Sequence, residues 1–216
     1  MFRYPIRFRF VPMVLLLLVS SDSGDSAEKS ALPEFGRDTV LVWRMQFPEE
    51  TAEFVVRIAE FRPNRFFEWE NSTTQGTTYI SSNAIERGRS FSNARLFEGG
   101  VDTKDKETTT LWLSQPVYRD LKSKGKAKVV LDSIGGVFTL EGTDRLSLDV
   151  NRASVELPVI KVKDGRNSEL WFLDFDQNPL LVKHMVRHFT QTLISITTDK
   201  PNTLRWIKGK KLTAPH

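Results

Sequence analysis

His184 and His188 stand four residues apart, a spacing that puts two imidazoles on one face of a helix or a strand, as a metal ion requires. The intervening Met185-Val186-Arg187 lacks the glutamate of an H-E-x-x-H zinc motif, and Arg187 would repel a cation. The third histidine, His216, lies in the C-terminal tail. Asp174, Asp176 and Asn178 repeat the first half of a calcium loop, but the glycine and glutamate needed at its sixth and twelfth positions are Pro179 and Met185. A polar turn closed by Asn178-Pro179 is expected there instead. Asp22-Ser23-Gly24 resembles the acid triplet of aspartic proteases, yet it occurs once and inside an N-terminal segment of a different character. No G-x-S-x-G elbow is present, and Gly135-Gly136 lacks the Lys-Ser/Thr of a phosphate loop. The chain has no cysteine, which removes disulfides, thiolate ligands and thiol nucleophiles. No metal and no cofactor are expected. One catalytic alternative stays open: Asp174, Asp176 or Glu169 dividing acid and base roles in a hydrolase of envelope polymers.

The location of such a hydrolase, or of any other activity, is suggested by residues 1–27. Arg3, Arg7 and Arg9 precede an apolar run from Phe10 to Val19, and small polar residues continue from Ser20 to Ala27. That layout is the one of a secretory signal peptide. The apolar run is about ten residues, half of the roughly twenty that span a bilayer. A periplasmic or secreted protein is expected. The remaining chain, roughly 190 residues, is enough for one self-supporting core without disulfides. Lys and Arg number 31 against 27 Asp and Glu, a net charge of +4, too mild to argue for nucleic acid.

The elements that must position any site are mostly strands. Residues 28–37 form a polar, flexible lead-in, 38–200 a single β-rich domain, and 201–216 a basic tail. In Val40 to Phe47, Leu41, Trp43, Met45 and Phe47 share one face and should meet the core. Glu53–Phe61, the turn Arg62-Pro63-Asn64 and Arg65–Asn71 read as a hairpin, with Phe67 and Trp69 opposed to Glu68 and Glu70. Gly76–Ser81 and Ala84–Phe91 read as a further pair of strands, 98–107 as an exposed loop, and Thr108–Leu113 as a strand. One short helix is expected at about 115–124. Ser114 is its N-cap, Pro116 lies in its first turn, and Lys122 and Lys124 are near its end, with Gly125 beyond. Strands at Lys126–Leu131 and Val137–Leu140 flank a turn at Ser133–Gly136. Leu146–Val150, Ser154–Val162, Glu169–Leu173, Leu180–Val186 and Thr192–Thr197 complete the run. The fold class is mainly β: a single curved antiparallel sheet or partly open barrel.

Fifteen Phe and five Trp are many for such a domain. Trp43, Phe54, Phe67, Trp69 and Trp112 are the candidate lining of an apolar ligand site, although for any one of them filling the core is the stronger expectation. Lys122, Lys124, Lys126 and Lys128 read as a solvated basic face and Lys208, Lys210 and Lys211 as a second basic cluster; together they could touch anionic lipid headgroups or another acidic envelope polymer. Asn71-Ser72-Thr73 has the N-glycosylation form.

Glu169-Leu170-Trp171-Phe172-Leu173-Asp174 and Asn178-Pro179-Leu180-Leu181 resemble the W-x-L-D…N-P-L tail motif of uncharacterised exported bacterial β-proteins. Leu111–Ser114, Val117–Leu121 and Leu148–Lys161 fit the same group, which is similar to the periplasmic lipoprotein-carrier-like proteins. The resemblance implies a bent sheet and carries no catalytic residue. It also expects Asn-Gly where this chain has its turn candidate Asn151-Arg152; Arg disfavours positive φ, which leaves a longer or different turn open there. Together these readings predict a non-enzymatic envelope protein that binds a lipid, another apolar ligand or a protein partner on a curved sheet.

Overall fold

A computed structural model describes residues 32–93, 100–103 and 107–198; the signal-like segment and the basic tail with Lys208, Lys210 and Lys211 lie outside them. The alternating segments become strands β1 (Val40–Gln46), β2 (Thr51–Glu60), β3 (Arg65–Glu70), β4 (Gln75–Ile80), β5 (Ser90–Phe91), β6 (Gly100–Thr103), β7 (Thr108–Thr109), β8 (Lys126–Leu131), β9 (Ile134–Val150), β10 (Ala153–Lys163), β11 (Glu169–Leu173), β12 (Leu181–Val186) and β13 (Phe189–Thr197). Helices α1 (Ser82–Arg87) and α2 (Gln115–Lys124) interrupt them. All thirteen strands join one sheet in the order β6-β4-β3-β2-β1-β13-β12-β11-β10-β9-β8-β5-β7. The long strands pair antiparallel, and the parallel pairs are short ones such as β4–β6 and β5–β8.

The sheet is bent far enough to meet itself. β13 pairs with β12 from Phe189 to Thr192, and then Ser195 and Ile196 pair parallel with Asp149 and Val150 of β9. Strands β9 to β13 therefore form a partial ring. The register of β13 against β1 slips between Val42 and Trp43, where Ile194 is left over. This bulge falls where β13 changes partners, and an extra residue gives the local twist such a change needs. The turn between β9 and β10 supplies the closing bonds. The Asn151 N–H donates to the Ile196 carbonyl (2.9 Å), its side-chain amide donates to Thr198 Oγ1 (3.0 Å), and its Oδ1 accepts from the Thr198 N–H (2.8 Å).

That turn has two residues, not more. Asn151 and Arg152 hold φ of 52° and 70°, and Val150 pairs directly with Ala153. The Arg152 N–H bonded to Asp149 Oδ1 at 2.7 Å and the Asn151 contacts offset the cost of a left-handed arginine. A second turn of this kind sits at Asp132-Ser133, so the turn expected at Ser133–Gly136 starts earlier and Gly135 and Gly136 belong to β9. The segment expected as a strand over Ala84–Phe91 is largely the helix α1. Its start signal is Ser81, whose hydroxyl accepts the Ala84 N–H at 3.1 Å. Gly88 ends it, because a Cβ there would lie 2.3 Å from the Glu107 carbonyl oxygen and 2.4 Å from that of Ala84. The expected loop 98–107 contains strand β6, and only Thr108–Thr109 of Thr108–Leu113 is a strand. Leu111 turns left-handed at φ 58° and sends the chain inward.

Helix α2 matches its expected bounds, buries Val117, Tyr118 and Leu121, and ends on left-handed Gly125, whose N–H returns to the Leu121 carbonyl. Ser114 occupies the N-cap, but its hydroxyl donates to the Gly88 carbonyl at 2.6 Å and so ties α2 to the end of α1. One core runs through the whole sheet. Phe35 of the lead-in joins it beside Phe61.

If ring closure depends on the Asn151 side chain, Asn151→Gly should destabilise the protein by about 1–2 kcal/mol, although glycine suits the backbone better. Urea unfolding checks this; a variant as stable as the parent or more so would show that the turn alone matters.

Candidate functional site

The five aromatic candidates come together. Trp43 and Phe54 pack at 5.7 Å between ring centroids, Phe54 and Trp69 at 6.0 Å, and Phe67 and Trp112 at 5.6 Å. All five are buried, so their rings meet one another and the core rather than solvent. Two of the three indoles are satisfied: Trp43 Nε1 donates to the Leu181 carbonyl (3.0 Å) and Trp112 Nε1 to Asn178 Oδ1 (2.7 Å). Trp69 Nε1 is buried without an acceptor among the described residues.

The inner face that carries these rings reaches the surface at one end. Trp43 and Met45 on β1 are followed in phase by Phe47, expected in the core but 39% exposed. Phe54 on β2 is followed outward by Ala52, which pairs with Met45. Trp69 on β3 is followed by Asn71. Phe189 at the start of β13 closes the fourth side, its ring 5.1 Å from Phe47. Met45, Phe47, Ala52 and Phe189 give a depression of about 400 Å³ a mostly apolar wall, and Glu50 and the Asn71–Thr73 turn form its polar edge. It lies directly outside the Trp43–Phe54–Trp69 row. Ala52 makes the room, since it is the one small residue where neighbouring inward positions hold Trp, Phe and Met. Asn71 shapes the rim: its Oδ1 accepts the N–H groups of Thr73 (2.9 Å) and Thr74 (2.8 Å), so the glycosylation-type tripeptide is an exposed turn beside the opening.

No family model matches this chain, and no curated protein matches it.

The acidic candidates are dispersed and engaged. Asp174 Oδ1 accepts from Tyr118 (2.7 Å) and Oδ2 from Lys122 (2.8 Å). Burial, then the bond to Asp174, push the Tyr118 hydroxyl well above the usual phenol range. Glu169 accepts from Trp171 Nε1 at the other end of β11, about 16 Å of strand away. Asp176 faces outward, with Arg119 Nε at 3.8 Å. Phe175–Asn178 is a turn closed by the Asn178 N–H on the Phe175 carbonyl (3.0 Å), the polar turn expected in place of a calcium loop. The lysines divide between elements. Lys122 and Lys124 pair with Asp174 and Asp120 beside α2, while Lys126 and Lys128 are exposed on β8.

The histidines differ from each other. His188 lies in the exposed β12–β13 turn. His184 is largely buried on β12, with Nε2 3.1 Å from Ser168 Oγ. Among the described residues no group of three or more His, Asp or Glu comes together as a metal site. Burial lowers the pKa of His184, and the charges of Asp132 and Asp164 only partly oppose it.

A lowered folded-state value means that the fold favours neutral imidazole. Its contribution is therefore complete above 6.5, the value of the unfolded side chain, and is lost as pH falls through the lower folded value. Melting temperature should fall as pH drops below about 6.5, and His184→Gln should flatten that slope; an unchanged slope would refute the assignment to His184. Trp112→Phe, which leaves Asn178 Oδ1 buried without its donor, should cost about 1–3 kcal/mol in urea unfolding at unchanged m-value.

Proposed function

We propose that this is an exported, non-catalytic envelope protein that takes an apolar ligand of acyl-chain type at the mouth formed by Met45, Phe47, Ala52 and Phe189. The carrying observation is the exposed Phe47 ring, packed at a tilt against Phe189 at the outer end of an otherwise buried aromatic row. A solvent-facing phenylalanine pair in a concave apolar site retains hydration that a hydrocarbon chain would displace. The depression falls within the size range of small-ligand sites. Covering about six methylene groups there would contribute roughly 5 kcal/mol before the cost of immobilising the chain. The signal-like N-terminus and the likeness to lipoprotein-carrier-like proteins support the same reading.

A fluorescent fatty acid titrated into the purified protein should gain intensity on binding. Ala52→Phe, which fills the mouth, and Phe47→Asp, which charges it, should each weaken binding at least about tenfold. Both positions are partly or largely exposed, so the variants should fold with unchanged circular dichroism. No binding by the parent, or full binding by Ala52→Phe, would sink the proposal.

A further inference from the structure

Arg65 opens β3 in phase with Phe67 and Trp69, so the strand points a guanidinium the same way as two core rings. The residue is 5% exposed. Its guanidinium lies over the Phe61 ring, 3.7 Å from the centroid, and its one hydrogen bond among the described residues is from Nη1 to the neighbouring Asn64 carbonyl at 3.3 Å. Its Nε is buried without an acceptor, and among the described residues no carboxylate forms an ion pair with it. A buried cation without a counter-charge is expensive to maintain. The strain shows in its acidity: burial first, and the adjacent Arg62 second, lower its pKa to about 10.

The surroundings of Arg65 are concave and cationic. With Arg62, Glu86, Gln115, Arg119 and Asp176 it lines a depression of about 600 Å³. The β2–β3 turn, α1, α2 and the β11–β12 turn all contribute to the wall. The neighbouring polar groups set its shape: Arg62 Nη2 donates to Gln177 Oε1 (2.8 Å), Arg119 Nη2 donates to Gln115 Oε1 (3.2 Å), and Gln115 donates to the Asp176 carbonyl. Three guanidiniums face two carboxylates, Glu86 and Asp176, and only Arg119 is near one of them.

We infer that this depression binds an oxyanion of the phosphate class, with Arg65 as the buried anchor and Arg62 and Arg119 as flanking donors. Guanidinium forks match phosphate oxygens in pairs, and such bonds are about twice as strong as neutral ones. Stacking on Phe61 holds the Arg65 plane, so little side-chain freedom is lost on binding. The space exceeds a bare phosphate, which points to a phosphate ester. The site shares no lining residue with the apolar mouth and does not depend on it.

Calorimetry of the full chain with inorganic phosphate and with glycerol 3-phosphate, at matched ionic strength, gives the soluble arm. Co-sedimentation with phosphatidylcholine vesicles, with and without phosphatidic acid, gives the lipid arm. The proposal expects binding in at least one arm, weakened about tenfold by Arg119→Gln, whose side chain is exposed enough not to disturb the core. Arg65→Lys keeps the charge but not the fork and should weaken binding similarly; if it unfolds, Arg119→Gln and Arg62→Gln decide the matter. Ala52→Phe should bind phosphate as the parent does. Binding of the soluble ester identifies a free metabolite-type ligand, and binding of phosphatidic acid vesicles alone identifies a headgroup. Failure in both arms, or binding indifferent to Arg119→Gln and Arg62→Gln, overturns the inference.

Discussion

The fold hangs on the short segment Asn178–Leu181, which accepts hydrogen bonds from two buried indoles. Trp112 reaches it through Asn178 Oδ1, and Trp43 through the Leu181 carbonyl. The backbone adds to the same junction: the Leu113 N–H donates to Pro179 (3.1 Å), the Leu181 N–H to Leu111 (2.6 Å), and the Leu173 N–H to Leu180 (2.8 Å). The inner segment Leu111–Leu113, the first strand and the β11–β12 hairpin thus meet at one polar seam inside an apolar core. Water cannot replace any of these bonds at this depth, so each is costly to leave unmade. The seam explains why Asn178-Pro179 is neither a ligand loop nor an ordinary surface turn. Its asparagine is an internal acceptor.

Both proposed sites are by-products of how this core ends. Where the inward row of β1 runs out past Met45, Phe47 is left 39% exposed, with Phe189 beside it. Where β3 begins, the inward row starts with an arginine, and the helices and the β11–β12 turn close around it without bringing Glu86 or Asp176 into an ion pair with it. A curved sheet has such ends by construction, because side chains that converge in its middle splay at its margins.

Period-two alternation was enough to read most strands, since each long strand has one face on the shared core; the exceptions have local causes. α1 hides in a stretch whose residues alternate weakly, and its Ser81 cap is the only strong start signal. Strand β6 carries almost no apolar residue, because it pairs at the rim through its backbone. Trp112 looks like part of a strand, yet positive φ at Leu111 removes it from the sheet, and no residue-type rule demands that of a leucine. The five aromatic residues were visible as a set. Arg65 was visible too, being in phase with Phe67 and Trp69, but charge at a strand start reads as solvent-facing unless phase is given precedence.

The pairing of β1 with β13 has a consequence for how the chain acquires this shape. Strands β8 to β13 connect mostly through neighbouring hairpins, whereas β1 must wait for a partner about 150 residues downstream. Synthesis proceeds from the amino end, so β1 to β4 emerge as a small meander with one long edge bare. Contacts so distant along the chain form slowly, and an uncovered strand of this greasiness invites pairing with another molecule. The interval before the last hairpin arrives is therefore the period in which this polypeptide is most open to aggregation and most in need of an escort.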